Sequence, residues 1–372
     1  MKIVIDRNIR GAETTFGRHG ELRVMDGRAI RQEHLADADL LIVRTATRVD
    51  RDLLDGTPVR FVGTTSIGTD HLDIAYLDAA GIAWANAPGC NADSAAEYTL
   101  AMIWLACQRL GRKLAGSRAG IVGRGNVGSR TLRLLRMLGV DVVANDPPLA
   151  DAGVTGLVSL DAALNCDIVC LHVPLTRDGP YPTWRMIDAS ALERLRDDAL
   201  LVNAARGDVI DGPALRYALE SGRIHAALDV WPGEPLLDPQ LLRQTVVATP
   251  HVAGYSDDGK RNGTRMVYAA FCTWSGEPEV NADPNGDRSL SLDLDPERDA
   301  LTQALEAACF VPRHDAALRG LADRPAAEIA SGFDRLRKEY PFRRDFRGWR
   351  IGGARPADAE RLAALGFVIA ND

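Results

Sequence analysis

The chain has 372 residues, more than one ordinary domain holds, so we expect two or three domains. A formal net charge of −7 argues against a nucleic-acid-binding protein, because such proteins usually carry a basic face. No apolar run approaches the roughly 18 to 20 residues of a membrane-spanning helix. The six scattered cysteines predict free thiols of a cytoplasmic protein, with no metal site.

The first part of the chain alternates short apolar runs with helical spacing. It opens on the run 3–5, which predicts a first strand rather than a signal peptide. Further runs of strand length follow at residues 40–43, 61–63 and 82–85. Strands that alternate with helices in this way are typical of a parallel sheet covered by helices on both faces.

A long apolar helix is predicted over residues 92–110, and a second alternating set follows it. Six runs predict the strands of a complete doubly wound sheet, at residues 120–122, 140–144, 168–171, 200–203, 226–230 and 246–248. A helical segment returns at residues 257–274. Residues 281–293 are rich in Asp, Asn, Pro, Gly and Ser and predict a linker, after which we expect a small separate α+β unit.

The strongest local signal is a glycine-rich loop between a predicted strand and a predicted helix. Gly123, Gly125 and Gly128 form G-x-G-x-x-G, with Asn126 and Val127 between the last two. We expect the first glycine to permit a tight turn, the second to let a pyrophosphate approach the backbone, and the third to let the helix pack against the strand. The N–H groups and dipole of the helix N-terminus favour the charge of the phosphates.

Asp146 follows the next predicted strand, 18 residues after Gly128. A carboxylate there can accept hydrogen bonds from both ribose hydroxyls and repels a 2′-phosphate, so the pattern favours NAD over NADP. The glycine pattern alone is weak, but here the strand, the helix and the acid all accompany it. The alternative is a glycine-rich turn with Asp146 as a solvated strand end.

Arg206, Glu234 and His251 follow predicted strands of the second half. Because such sheets carry their active groups at the carboxyl ends of the strands, we expect the three to converge. Oxidation of a 2-hydroxy acid needs a base for the hydroxyl proton and a cation for the carboxylate. A histidine ordinarily titrates near neutral pH, so His251 suits the base, and Glu234 suits the partner that orients it. Arg206 suits the carboxylate because its planar fork binds through two bonds.

Asp229 lies at the end of another predicted strand and can accept a hydrogen bond from a nicotinamide amide. Structural roles stay open for each of these residues. Arg206 can form a surface ion pair, Glu234 can be a solvated loop acid, His251 can be a satisfied structural histidine, and Asp229 can be a strand-end cap. We interpret His71 as structural, because it precedes the cofactor segment and its motif has no carboxylate partner.

Taken together, these motifs resemble the D-isomer-specific 2-hydroxyacid dehydrogenase family. The glycine loop, the N-x-x-R-G segment at 203–207, the L-D-V-W-x-x-E-P segment at 228–235 and the T-P-H segment at 249–251 occur in family order. The resemblance implies that Arg206, Glu234 and His251 form the catalytic set and that NAD is the cofactor.

A narrower resemblance, to a branch of that family acting on a phosphorylated four-carbon acid, covers nearly the whole chain. The strings that carry it are VRTAT (43–47), FVGTTSIGTDH (61–71), PGCNA (88–92), DPP (146–148), HVAGY (251–255) and FDRLRKEY (333–340). It implies NAD-dependent oxidation of 4-phospho-D-erythronate to 2-oxo-3-hydroxy-4-phosphobutanoate in pyridoxal 5′-phosphate biosynthesis.

The same resemblance implies which residues contact the ligands. The expected substrate contacts are Thr45, Ser66 and Tyr255. The expected cofactor contacts, beyond the glycine loop, are Asp146, Val173, Ala204, Ala205, Arg206, Asp229 and Gly254. Relatives often carry a hydroxyl at the position of Val173, so a contact there must come from the backbone.

The substrate phosphate needs cations. Arg44 is the candidate from the first part of the chain, although a strand-end ion pair explains it equally well. Arg343 and Arg344 are candidates from the C-terminal unit, either of this chain or of a partner subunit, although a charged pair is usually a solvated face.

The fold that we expect is α/β. The resemblance implies a flavodoxin-like substrate-binding domain of residues 1–92 plus 255–285, a doubly wound Rossmann domain for NAD of residues 93–254, and an α+β dimerisation domain of residues 286–372. We therefore expect a cytoplasmic homodimer that closes around its substrate and binds neither nucleic acid nor a membrane.

Two alternatives stay open. One is another dehydrogenase of the family, such as a 3-phosphoglycerate dehydrogenase. The other is a non-catalytic NAD-sensing protein of the corepressor kind, which can keep the catalytic residues. The residues also leave open whether NAD leaves after each turnover or is reoxidised in place by a 2-oxo acid.

Overall fold

Two units make up the chain in the computed structural model, which describes residues 1–280 and 289–370. The first unit, unit 1, is Met1–Asn91 with Ser256–Arg288, and the second, unit 2, is Ala92–Tyr255 with Ser289–Asp372. None of the helices in the described ranges has the length and hydropathy needed to cross a bilayer.

The strands and helices are numbered in chain order. The strands are β1 (Lys2–Asp6), β2 (Glu21–Met25), β3 (Leu40–Val43), β4 (Phe61–Thr64), β5 (Ala83–Ala85), β6 (Arg118–Val122), β7 (Asp141–Asn145), β8 (Ile168–Leu171), β9 (Leu200–Asn203), β10 (His225–Leu228), β11 (Val247–Ala248), β12 (Leu290–Asp293), β13 (Trp349–Gly352) and β14 (Val368–Ile369). The α-helices are α1 (Ala12–Thr15), α2 (Arg51–Leu54), α3 (Ile74–Ala79), α4 (Ala92–Arg109), α5 (Asn126–Met137), α6 (Pro147–Asp151), α7 (Leu160–Leu164), α8 (Ala189–Glu193), α9 (Gly212–Glu220), α10 (Pro239–Gln244), α11 (Asp257–Ser275), α12 (Ala300–Cys309), α13 (Val311–Arg319), α14 (Ala326–Lys338) and α15 (Pro356–Leu365).

Unit 1 is built on a five-stranded parallel sheet of order β2-β1-β3-β4-β5. This is the flavodoxin-like order, so the predicted fold of this part is confirmed. All four residues of β3 are buried, as expected for a parallel strand covered on both faces. The long helix α11 packs on the sheet where Gly63 leaves room for Val267, since a Cβ at Gly63 would lie 2.3 Å from Val267 Cγ1.

Unit 2 contains a six-stranded parallel sheet of order β11-β10-β9-β8-β6-β7. All six predicted strands are present, and the doubly wound fold is confirmed. The strand order reverses between β6 and β8, because β7 lies on the other side of β6. In open α/β sheets, ligands bind beyond the carboxyl ends of the strands at such a reversal.

The C-terminal segment of unit 2 carries the three-stranded parallel sheet β12-β13-β14. Its side chains extend the hydrophobic core on both faces of the six-stranded sheet: Phe346 and Ile351 join one cluster, and Leu318 and Phe333 join the other. The segment is therefore continuous with the cofactor part of unit 2. A dimerisation role for residues 286–372 stays a prediction.

The predicted linker over residues 281–293 is wrong at its end. Leu290 to Asp293 form strand β12, which pairs in parallel with β13. Leu290 and Leu292 alternate with more exposed residues and pack on the core. This one-sided pattern is typical of an edge strand. Residues 281–288, the rest of the linker and the predicted start of the last domain, lie outside the described residues.

Candidate active site

The carboxyl edge of the six-stranded sheet collects the predicted cofactor and catalytic residues of unit 2. Each strand end delivers part of the set, in the chain order β6, β7, β8, β9, β10 and β11. The residues delivered are Gly123 to Gly128, Asp146, Val173, Ala204 to Arg206, Asp229 with Glu234, and His251 with Gly254. The parallel register thus groups residues that are up to about 130 positions apart in the chain.

The three glycines of the loop have three different environments. Gly123 has φ +91°, a left-handed conformation that a side chain disfavours. A Cβ on Gly128 would lie 1.9 Å from the carbonyl oxygen of Gly123, so helix α5 can approach β6 only because this residue is glycine. A Cβ on Gly125 would meet no described atom within 4 Å. Gly125 therefore faces open space at the start of α5, where its backbone leaves room for a phosphate group.

The N-terminus of α5 suits an anion. Gly125 caps the helix without a side-chain hydrogen bond, and Asn126 and Val127 form its first turn. The N–H groups of a first turn lack intrahelical partners, and the helix dipole adds positive potential there. These features fit the pyrophosphate of a dinucleotide.

Asp146 lies beside the glycine loop. Its Oδ2 accepts a hydrogen bond from the N–H of Arg124 at 2.8 Å, and its Oδ1 accepts one from the N–H of Leu149 at 3.1 Å, as the cap of α6. A carboxylate has about four lone-pair sites, so both oxygens keep capacity to accept ribose hydroxyls. Asp146 thus fixes the distance between the loop and the end of β7, whatever else it binds.

Asn203 shapes the segment that carries Arg206. Its buried amide donates from Nδ2 to the carbonyl of Arg206 at 2.9 Å and accepts from the N–H of Ala205 at 3.0 Å. Ala204 and Ala205 are half-buried, and the side chain of Arg206 is exposed. Asn203 therefore holds a tight turn that presents Arg206 to solvent at the sheet edge.

Asp229 is nearly fully buried and organises the loop after β11. Its Oδ1 accepts from the hydroxyl of Thr249 at 2.6 Å and from the N–H of Val252 at 3.0 Å. Its Oδ2 accepts from the N–H of Ala253 at 2.9 Å. The carboxylate thus acts as a cap for the loop that contains His251, which is the structural alternative that the sequence leaves open. A cofactor contact at Asp229 stays a prediction.

His251 and Glu234 form a direct hydrogen bond between Nδ1 and Oε1. The other oxygen of Glu234 accepts from the N–H of Trp231 at 3.0 Å, and the indole of Trp231 donates to the carbonyl of Thr249 at 2.9 Å. The backbone of His251 has φ +55° and its N–H bonds to the carbonyl of Asp229. The imidazole is therefore oriented both by its partner and by its backbone.

Glu234 is held in its ionised form. Partial burial would raise its pKa, but the hydrogen bond and charge of His251, the N–H of Trp231 and the charge of Arg337 together lower the pKa below that of an ordinary glutamate. An ionised Glu234 requires the proton on Nδ1 of His251, which leaves Nε2 as the nitrogen that exchanges protons with a substrate.

Tyr255 stands against the C-terminal segment. Its hydroxyl accepts a hydrogen bond from Nη2 of Arg337 at 3.4 Å, and its ring packs edge-on against Tyr340 with centroids 5.5 Å apart.

The suggestion that Arg343 reaches a substrate phosphate is wrong for this unit, because Arg343 is 1% exposed. Its guanidinium donates to the carbonyls of Ala253 and Ser94. Arg344 is also buried.

The substrate-binding residues predicted in unit 1 lie at the carboxyl ends of β3 and β4, which are neighbours. Arg44 and Thr45 follow β3, and Ser66 follows β4. Thr45 is exposed and Ser66 is half-buried. Nε of Arg44 lies 3.1 Å from the buried carboxylate of Asp6, so the predicted strand-end ion pair is present, although 38% of the Arg44 side chain remains exposed. His71 bonds to the hydroxyl of Thr64, as a structural histidine does.

The described residues include no group of three or more His, Cys, Asp or Glu side chains placed to hold a metal ion. Residues 91–253 match the family described as "D-isomer specific 2-hydroxyacid dehydrogenase, NAD binding domain". A relative from Pseudomonas entomophila, named erythronate-4-phosphate dehydrogenase, is 45% identical over 98% of this chain and 98% of its own. The chain belongs to the D-isomer specific 2-hydroxyacid dehydrogenase family. Within this family it is an NAD-dependent enzyme, and residues 91–253 match the NAD-binding domain.

A second relative and two solved structures extend the comparison. A relative from Hahella chejuensis, also named erythronate-4-phosphate dehydrogenase, is 40% identical, with 100% of both chains covered. D-lactate dehydrogenase from Aquifex aeolicus, solved with NAD and lactic acid, superposes with a TM-score of 0.58 at 25% identity, covering 74% of this chain and 96% of its own. A 3-phosphoglycerate dehydrogenase from Entamoeba histolytica superposes with a TM-score of 0.62 at 22% identity. The superposition covers 77% of this chain and 98% of that one.

The sequence did not assign three residues that the structure places in the site. Asn203 and Trp231 lie inside the family motifs, and the buried polar positions next to Arg206 and Glu234 were the available signal. Arg337 lies in the string at 333–340, about 100 residues from the catalytic motifs. Sequence spacing alone gives no sign of that contact.

Proposed function

We propose that the chain oxidises 4-phospho-D-erythronate at C2 to 2-oxo-3-hydroxy-4-phosphobutanoate, with NAD, in pyridoxal 5′-phosphate biosynthesis. The observation that carries the proposal is the bond between His251 Nδ1 and Glu234 Oε1 at the sheet edge that carries the glycine loop. The same activity names the relatives from Pseudomonas entomophila and Hahella chejuensis, which match this chain over nearly its whole length.

The proton leaves the substrate through His251. Nε2 takes the proton of the C2 hydroxyl as the hydride leaves C2, so that the C2–H bond is replaced by the second bond of the new carbonyl. Glu234 stabilises the imidazolium that forms, and Trp231 and Thr249 keep this pair in place. In the reverse direction His251 returns the proton to the carbonyl oxygen.

Arg206 binds the substrate carboxylate. Its Nη1 donates to the carbonyl of Ala205 at 2.7 Å, and the exposed guanidinium keeps further N–H groups for a bidentate contact. The same cation polarises the C2 oxygen beside the carboxylate. Only an arginine supplies both contacts from one rigid group.

NAD, when bound, supplies the acceptor for the hydride. The residues that would hold it are those of the glycine loop, Asp146 at the ribose, the backbone of Val173, the segment Ala204 to Arg206, and Gly254. They fit the cofactor because Gly125 faces open space and because the carboxylate of Asp146 retains lone pairs at the loop. The negative charge of Asp146 disfavours the 2′-phosphate of NADP.

The substrate contacts that we propose are Arg44, Thr45, Ser66 and Tyr255. Hydroxyls at Thr45, Ser66 and Tyr255 suit the hydroxyl groups of a sugar acid. Arg44 suits the phosphate because its side chain stays partly exposed while Asp6 holds it.

We further propose that the protein works as a cytoplasmic homodimer. All six cysteines are buried free thiols, as is typical of proteins from a reducing compartment. The C-terminal segment after residue 288 is the part proposed for the dimer contact. Sedimentation of the purified protein tests this, since a monomer at micromolar concentration would exclude it.

The substrate is tested by following reduced nicotinamide with 4-phospho-D-erythronate and, separately, with 3-phosphoglycerate. Each assay contains NAD, with and without a 2-oxo acid acceptor. Turnover with phosphoerythronate alone is the expected result. Turnover with phosphoglycerate alone would replace the substrate but keep the catalytic residues, and NAD binding without turnover would favour a sensing protein.

A further inference from the structure

The string FDRLRKEY at 333–340 meets the loop that carries His251. Two contacts join them: Arg337 Nη2 to the hydroxyl of Tyr255 at 3.4 Å, and the ring of Tyr340 to that of Tyr255. Arg343, just after the string, also donates from Nη1 to the carbonyl of Ala253 at 3.0 Å. The active-site loop is thus supported by the C-terminal segment of the same chain.

Helix α14 directs Arg337 toward this loop. Phe333 is fully buried, and Arg337 is four residues further on the same face. The guanidinium of Arg337 lies 5.7 Å from the centre of the Phe333 ring, which fixes the stem of the side chain. About 30% of the Arg337 side chain is exposed, so it is largely withdrawn from water.

Arg337 has no strong competing partner on its own helix. Asp334 lies 3.9 Å from Nη1, and 64% of the Asp334 side chain is exposed, so this ion pair is worth little. The guanidinium is therefore available to the hydroxyl of Tyr255.

Because Arg337 donates to the oxygen of Tyr255, the phenolic proton stays free for a second hydrogen bond. A hydroxyl that accepts a bond from a cation is polarised and becomes a better donor. Tyr255 is thereby prepared to donate to an oxygen of an anionic substrate. The charge of Arg337 also lowers the pKa of Glu234, behind burial, His251 and Trp231 among its causes.

We propose that Arg337 is a positioning residue of the active site, which orients the hydroxyl of Tyr255 toward the substrate. This inference rests on the proposed function. It gives the C-terminal segment a part in substrate binding besides any role in dimerisation. The residue acts through Tyr255 and need not touch the reacting atoms.

The test uses the full-length enzyme in the direction of 2-oxo-3-hydroxy-4-phosphobutanoate reduction by NADH. The variants are Arg337→Gln, Arg337→Lys, Tyr255→Phe and the double variant Arg337→Gln with Tyr255→Phe. The matched control is Arg335→Gln, which removes an exposed arginine from the same helix.

For Arg337→Gln we expect about a tenfold rise in KM for the 2-oxo acid, with little change in kcat. Arg337→Lys keeps the charge but loses the fork, so we expect a smaller rise in KM. In the Tyr255→Phe background, Arg337→Gln should leave KM nearly unchanged. The Arg335→Gln control should match wild type.

The inference is overturned if Arg337→Gln has wild-type KM, or if Arg337→Lys and Arg337→Gln lose kcat alike at unchanged KM. The second pattern would indicate a structural role only. NAD titration and thermal unfolding of each variant identify a folding defect. If Arg337→Gln has such a defect, the KM of Arg337→Lys is compared with wild type instead. Failure of the proposed function is distinct, because wild type itself would not reduce the phosphorylated 2-oxo acid.

Discussion

Nδ1 of His251 is bonded to Oε1 of Glu234, and this leaves Nε2 as the imidazole nitrogen that can exchange a proton with a substrate. The pair joins the ends of two adjacent strands, β10 and β11, through the loops that follow them. Its chemistry can be tested by changing Glu234 alone.

Glu234→Gln should lower kcat by about 10²- to 10⁴-fold, because the amide cannot stabilise the imidazolium. The pKa of Glu234 is lowered, so its support of His251 is complete above the ordinary glutamate pKa and is lost as pH falls through the lowered value. In 2-oxo acid reduction, wild type should therefore show an acid limb that the variant lacks. An unchanged acid limb in the variant would refute this role.

The glycine loop allows binding and stability to be separated. Gly125→Ala places a methyl group in open space, so it should weaken NAD binding without changing the denaturant midpoint. Gly128→Ala places the methyl group 1.9 Å from the Gly123 carbonyl, and should cost on the order of 1–3 kcal/mol of stability. Isothermal titration and urea unfolding measure the two effects. Loss of stability in Gly125→Ala would contradict the assignment of its open face to the cofactor.

Asp146→Ala should weaken NAD binding about tenfold and reduce the preference for NAD over NADP. The same change removes the cap of α6, which costs about 1 kcal/mol. Asp188→Ala is the matched control, because it also removes a helix cap, on α8. Binding titrations with NAD and with NADP measure the cofactor preference of each variant. If cofactor preference is unchanged, Asp146 only holds the loop.

Arg206→Lys should lose about 10²-fold or more in kcat/KM, because a bidentate contact becomes a single one. Arg216→Lys, at a partly exposed ion pair with Asp238, serves as the control for the chemical change itself. Steady-state kinetics with the phosphorylated acid measure both. Near-normal turnover in Arg206→Lys would contradict the proposal that Arg206 binds the substrate carboxylate.

Much of unit 2 could be predicted because buried parallel strands are continuous apolar runs. Leu200 to Asn203 is buried throughout, and the run was recognisable as a strand. The strand order was not predictable, since it depends on which runs pair. β12 was not predicted, because Leu290 and Leu292 are the only apolar residues of this short strand. An edge strand with one buried face needs no more than two such apolar residues.

The site was predictable where a role follows from local spacing, and less so where it depends on distant neighbours. The pairing of His251 with Glu234 followed from their positions after predicted strands and from the chemistry of an acid that orients a histidine. The burial of Arg343 did not, because the groups that surround it, such as Ser94 and Tyr98, are about 250 residues away. Asp229 carried both a structural and a functional interpretation, and its hydrogen bonds supply the structural one.

The central claim is the transfer of hydride from C2 of 4-phospho-D-erythronate, and an isotope tests it most directly. The enzyme is incubated with NAD and substrate deuterated at C2 for a single turnover, and the cofactor is analysed by mass spectrometry. If the hydride comes from C2, the reduced nicotinamide carries one deuterium, and it carries none when the label is placed at C3. Reduced cofactor without deuterium from C2, or no reduced cofactor at all, would contradict it.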